Sequence, residues 1–108
     1  MTASLSIDQI AFQLILHSGN ARSDIMEAMF LARQGKFEEA KQKVEAAKQE
    51  LNEAHRTQTT LIQAEAKGIK NEVSILMVHA QDHLMTSITV KELAEEIIFL
   101  HEKMAEDK

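Results

Sequence analysis

Apolar residues recur along this chain mostly at alternating steps of three and four, the period of a helix with one face in a core. The first run is Ile7, Ile10, Leu14, Ser18, Ala21, Ile25, Ala28 and Ala32. Ser6-Ile7-Asp8-Gln9 has the S-x-x-Q form of a capping box. A helix over 7–34 is therefore predicted, closed by Gly35 in the left-handed conformation. Gly19 lies inside the run and predicts close packing of another backbone through Gly19 and Ser23. The second run is Phe37, Ala40, Val44, Ala47, Leu51, Ala54, Gln58 and Leu61, in strict alternation, with Lys41, Glu45, Lys48 and Gln49 opposite. It predicts a half-buried helix over 37–66, ended by Lys67-Gly68.

A third helix is predicted over 69–105, and it follows a different rule. From Val73 to Met85 its apolar residues are Val73, Ile75, Leu76, Met77, Val78, Ala80, Leu84 and Met85. At about 100° per residue these cover almost the whole circumference. A helix apolar all round has to be buried all round, and two partner helices cannot enclose a third on every side. Self-association through the third helix follows. Short connections make the helices antiparallel neighbours, an up-down-up bundle.

Composition narrows this further. The chain has 108 residues, the size of one domain spanning 1–108, with no proline or cysteine and only four aromatic residues, all Phe. Ala, Glu, Lys, Gln, Leu and Met dominate, so the fold class is all-α. The absence of cysteine excludes disulfides, thiolate nucleophiles and Cys-ligated metals. Three glycines cannot supply the phosphate loops or dinucleotide fingerprints built on Gly-rich turns. A formal net charge of −5 argues against nucleic-acid binding. No apolar run approaches the ~20 residues of a membrane span. The opening residues, Met1 to Ser6, lack the basic region and apolar stretch of a signal peptide, which predicts a cytoplasmic protein.

Chemistry enters through the polar residues of the third helix. His79 and His83 stand four apart on one face, at seam positions where apolar residues would be expected. Asp82 interrupts the neighbouring apolar stripe Ile75, Val78, Met85, where a carboxylate loses hydration and needs a partner, a proton or a metal. H-x-x-x-H can present two ligand nitrogens to one point, but the glutamate of a metalloprotease H-E-x-x-H is missing, because Ala80 follows His79. Packed, hydrogen-bonded core histidines remain the alternative. His17, His55 and His101 are read structurally, with His55 and Gln58 expected to hydrogen-bond across the core and His101 to suit the helix dipole. The six methionines are read as packing or a soft docking surface.

The segment Val78-His79-Ala80-Gln81-Asp82-His83-Leu84-Met85-Thr86-Ser87 resembles the active-site signature of lactose/cellobiose-type enzyme IIA components. These belong to the bacterial phosphoenolpyruvate-dependent sugar phosphotransferase system. Ser18-Gly19-Asn20-Ala21-Arg22-Ser23, Leu51-Asn52-Glu53-Ala54-His55 with Gln58-Thr59, and Ile98-Phe99-Leu100-His101-Glu102-Lys103 agree with it in order. The resemblance implies a three-helix subunit assembling into a homotrimer. It implies that His79 takes a phosphoryl group on Nε2 from phospho-HPr and gives it to a cysteine of a cognate IIB component. It also implies that Asp82 lies near the threefold axis, where one carboxylate per subunit shares a divalent metal, commonly Mg²⁺. The sugar and the membrane would be met only indirectly, through the IIC transporter. From their shared face, His83 is expected to stabilise the phosphoryl group on His79, while Gln81 is assigned to packing or to another subunit's cleft. Two further readings compete: a trimeric adaptor bundle with a metal clip and no phosphotransfer, and a small metalloenzyme using His79 and His83 as ligands.

Overall fold

A computed structural model describes residues 6–70 and 72–107. They form three helices, α1 (Ile7–Arg33), α2 (Phe37–Ala66) and α3 (Ile75–Glu106), with no strand among the described residues. The body measures 57 × 25 × 21 Å, a rod about as long as its helices. Residues 1–5, on which the leader expectation rests, lie outside the described residues.

The helix ends follow local chemistry. Ser6 accepts a hydrogen bond from Gln9 N while Gln9 Oε1 accepts one from Ser6 N, the reciprocal capping box expected for α1. Gly35 has φ +83° and Gly68 has φ +92°. Around Gly35, Lys36 N donates to Leu31 O at 2.9 Å and Gly35 N to Ala32 O at 3.0 Å. Around Gly68, Ile69 N donates to Ala64 O and Gly68 N to Glu65 O, both at 3.0 Å. Both are Schellman closures, which consume orphan carbonyls at the end of a helix and need a residue without Cβ.

α3 begins at Ile75, six residues later than the expected start at 69. Ser74 is its cap: extended in conformation, it accepts from Met77 N at 3.1 Å. The first closure runs into the next helix at once, but after the second the described residues 69–70 and 72–74 are non-helical. The late start places His79 in the second turn of α3.

α1 packs along both other helices, while α2 and α3 touch each other less. Among the described residues, nine of the fifteen buried apolar side chains are alanines, namely Ala11, Ala21, Ala28, Ala32, Ala40, Ala47, Ala54, Ala80 and Ala94. Leu14, Ile25 and Leu84 are the largest fully buried side chains. Ser18 and Ser87 are also fully buried, and Ser87 Oγ donates to Ser18 O at 3.3 Å across the α1–α3 contact. Lys41 on α2 donates to Glu102 on α3 at 3.0 Å, and that bond with the Glu102 charge holds the Lys41 pKa above its ordinary value. In water such an exposed pair adds little stability.

Large apolar side chains, by contrast, lie outside. Phe12, Leu16, Met26 and Phe30 are exposed on α1, and Ile75, Val78, Met85, Leu93, Ile97, Leu100 and Met104 on α3. On α1 these residues align with half-buried Gly19 and exposed Ser23 at steps of four and three, forming a second seam facing away from the core. The expected close approach at Gly19 is not made within the chain, since a Cβ there would meet nothing within 4 Å.

The structure predicts that Leu84→Ala, which empties a fully buried site, lowers unfolding free energy by about 2–5 kcal/mol in urea denaturation at fixed protein concentration. Gly35→Ala, forced to a positive φ, should cost about 1 kcal/mol or more in the same measurement.

Candidate functional site

α3 carries chemistry on three of its flanks. His79 and His83 occupy one flank, with ring centroids 5.9 Å apart and an interplanar angle of 61°. Ile97 and His101 follow on the same flank about five turns later. There they line a groove with Met26, Met29, Phe30 and Arg33 of α1, so the imidazole flank is the one beside α1. His79 is exposed and makes no hydrogen bond or ion pair with any described residue. His83 is half-buried, and its Nδ1 is shut off from solvent without a hydrogen-bond partner.

Gln81 points to the opposite flank, toward α2. Gln58, 8% exposed, donates through Nε2 to Gln81 Oε1 at 2.5 Å. Thioethers close the remaining contacts: Met85 Sδ lies 3.6 Å from Gln58 Nε2, and Met77 Sδ lies 3.5 Å from Gln81 Nε2. Gln58 thus bonds across the bundle as expected, and its partner is Gln81. Periodicity carried no signal for that pairing. Beside it lies an open groove of about 240 Å³ lined by Leu61, Ile62, Met77 and Val78, with Glu65 and Glu72 among its other lining residues.

Asp82 lies between these two flanks, exposed, on the outward stripe with Ile75, Val78 and Met85. It has no ion-pair partner among the described residues. Those residues contain no cluster of three His, Cys, Asp or Glu able to hold a metal within one chain. The structure therefore brings His79 and His83 together and leaves Asp82 without an ionic partner among the described residues.

The remaining histidines divide. His17 Nδ1 bonds Glu50 Oε2 at 2.5 Å, joining α1 to α2, a structural role as expected. His55 is exposed and lines a shallow groove with Asn52, Lys48, Ile88 and Lys91, so the expected core hydrogen bond is not made. It falls one position beyond the buried seam residue Ala54, which turns its ring outward. His101 is half-buried near the C-terminal end of α3.

The chain matches the family profile described as "PTS system, Lactose/Cellobiose specific IIA subunit" over residues 9–102. It is 55% identical over 102 residues to the lichenan-specific phosphotransferase enzyme IIA component of Bacillus subtilis, covering 94% of this chain and 93% of that protein. The crystal structure of the PTS cellobiose-specific enzyme IIA from Bacillus anthracis superposes with a TM-score of 0.92 at 55% identity, covering 98% of this chain and 97% of that one. The IIA(chitobiose) chain in the solution structures of its complex with HPr from Escherichia coli gives a TM-score of 0.82 at 43% identity, covering 94% and 99%.

The paired amides generate a test. Gln58→Ala leaves the Gln81 amide half-buried without its partner and should cost about 1–3 kcal/mol in denaturant unfolding. The double variant Gln58→Leu/Gln81→Leu should recover most of that loss, because removing both partners leaves no unpaired group.

Proposed function

Because this chain belongs to the lactose/cellobiose-specific IIA family of the sugar phosphotransferase system, we propose that it carries a phosphoryl group on His79, received from phospho-HPr and passed to a cysteine of its cognate IIB component. The observation that carries this reading is the state of His79: an exposed imidazole, unpartnered, on a helix otherwise apolar around it. A neutral imidazole nitrogen is an available nucleophile near neutral pH. In each transfer one bond to phosphorus forms as another breaks. The His79 nitrogen lone pair attacks phosphorus in line, and the electron pair of the old N–P bond returns to the donor imidazole. In the second step a cysteine thiolate attacks, and that pair returns to His79. Positioning and stabilisation of the phosphoryl oxygens are then the main tasks of the protein.

The late start of α3 helps with the second task. Helical side chains lean toward the N-terminus, so a phosphoryl group on His79 sits over the first turn of α3, the positive end of its dipole. At the surface such placement contributes about 0.3–1 kcal/mol.

The exposed seams on α1 and α3 support assembly of three copies, with the α3 stripe toward a common axis. Asp82 lies mid-stripe, so three copies would bring three carboxylates together. An exposed carboxylate without a partner fits a hard divalent cation such as Mg²⁺, and such an ion would offset the mutual repulsion of the three charges. The described helices include none long and apolar enough to cross a membrane, in keeping with a cytoplasmic carrier whose sugar is handled by the IIC transporter. A trimeric adaptor without phosphotransfer would use the same seams and would leave His79 idle.

Incubation with phosphoenolpyruvate, enzyme I and HPr should give an acid-labile phosphate on the wild type by intact mass, and none on His79→Ala. An unlabelled wild type leaves the adaptor reading. In analytical ultracentrifugation the chain should sediment as an oligomer, and Leu93→Glu should shift it toward the single subunit. A wild type sedimenting as one subunit overturns the assembly. Asp82→Asn should lose metal by elemental analysis while the assembly persists or tightens, because a buried charge cluster costs desolvation energy; unchanged metal content counts against the assignment.

A further inference from the structure

A groove of about 190 Å³ runs between α2 and α3, lined by Lys48, Leu51, Asn52, His55, Ile88 and Lys91. The four α2 residues share one face, at helical steps of three and four. The floor is apolar, with Leu51 buried and Ile88 half-buried. No carboxylate is among the lining residues, on a chain whose formal net charge is −5. In the next groove along the same two helices Glu45 and Glu95 stand beside Lys41 and Lys48, and the groove beside the amide pair carries Glu65 and Glu72.

The two ammonium groups are tied together from outside the groove. Glu95 Oε1 lies 3.2 Å from Lys91 Nζ, and Glu95 Oε2 lies 4.0 Å from Lys48 Nζ. The Lys91 side chain is only 18% exposed, so its freedom is already restricted. One carboxylate neutralises one of the two charges and leaves each ammonium with donors to spare. Neither lysine pairs with another acidic group among the described residues. The side chains of Asn52 and His55 make no hydrogen bond with any described residue. Two ammonium groups, an amide and an imidazole therefore offer unspent donors to one small space, beside a floor that weakens the screening of charge by water.

A phosphate group matches that donor set. It is a compact dianion with acceptors on three oxygens, and lysine meets it as a point charge from any side. The volume is below that of pockets for drug-sized ligands and suits a phosphate alone or on a body of a few carbons. We propose that the α2–α3 groove lined by Lys48, Asn52, His55 and Lys91 binds the phosphate group of a small metabolite, at a site separate from His79. Lys91 stands twelve residues beyond His79, about 18 Å along the axis of α3, and on the flank facing α2. The groove belongs to neither exposed apolar seam. The proposal is independent of the carrier reading, because it uses no residue of that site.

The test is a titration of the ¹⁵N-labelled full-length wild type, at fixed ionic strength, with glycerol 3-phosphate, inorganic phosphate and, as a neutral control, glycerol. Both phosphates should give saturable amide shifts centred on Lys48, Asn52, His55 and Lys91, and glycerol should give none. Tighter binding of glycerol 3-phosphate assigns the groove to a phosphate ester whose carbons cover Leu51 and Ile88, whereas equal affinity assigns it to free phosphate. Lys48→Met and Lys91→Met, which keep the apolar stems, should each weaken binding about tenfold, as expected for one hydrogen bond to a charged group. Lys91→Arg should stay within about threefold of the wild type, as should Lys43→Met, whose ammonium pairs with Glu27 of α1 instead. Lys48 is the more exposed of the two, so its variant keeps the test open should Lys91→Met lose helicity. His79→Ala should bind as the wild type does, whether or not His79 carries a phosphoryl group. Shifts that grow linearly without saturation, shifts centred on His79, or wild-type affinity in Lys48→Met together with a folded Lys91→Met overturn the proposal.

Discussion

An alanine on a helix seam lets the neighbouring axis come closer than a leucine would, and in this bundle alanines hold most of the seam. Three helices drawn that close have little interior to fill. Leu14, Ile25 and Leu84 occupy it, and the other large side chains must go elsewhere. They go to the outside of α1 and α3, where each forms an exposed apolar seam. The subunit is in this sense a half-finished core. Its internal contacts hold the three helices together, and many of its large apolar side chains are left exposed.

That division places the chemistry. The first half of α3 must present apolar groups outward for contact and small groups inward for packing, so its polar residues fall on flanks where neither demand holds. His79 and His83 lie beside α1, the amide pair beside α2, and Asp82 on the contact stripe itself. A nucleophile in the middle of the contact stripe would be smothered, and one on the inward face would meet Ala80 and Leu84. The flank is the position that is both rigid, because it is set on a long helix, and exposed, as the proposed phosphoryl carrier would require.

Much of this was legible from the order of residues. Ser6, Gly35 and Gly68 mark their helix ends through specific hydrogen bonds, so α1 and α2 fall within a residue of expectation. Crowding of apolar residues around α3 announced that the helix faces more than the core. α3 starts later than the sequence predicts because Gly68, unlike Gly35, closes one helix without opening the next. Ser74 is the true signal, with a hydroxyl that takes up the Met77 amide. Gly19 was read as a point of close approach, and within the chain nothing approaches it. The link between Gln58 and Gln81 depends on the relative rotation of two helices, which no single-helix periodicity contains. The same holds for the sealed nitrogen of His83, a property of one atom and not of a residue type.

The placement of Asp82 bears on how firmly a carrier should hold its cargo. On a helix, residues three apart are neighbours, so the phosphoryl group proposed for His79 would stand next to the Asp82 carboxylate, and like charges at that spacing repel. The first turn of α3, the positive end of its dipole, would act in the opposite sense. A site made only of attractive contacts would bind the phosphorylated state too well and slow its release, since binding that stabilises the ground state as much as the transition state does not speed transfer. A repulsive neighbour would raise the energy of the resting phosphohistidine and so favour its release. A cation shared by the Asp82 carboxylates would weaken the repulsion without removing it. On the proposed carrier reading, the HAQDH sequence would set opposed charges around one nucleophile, with their spacing fixed by the helical turn.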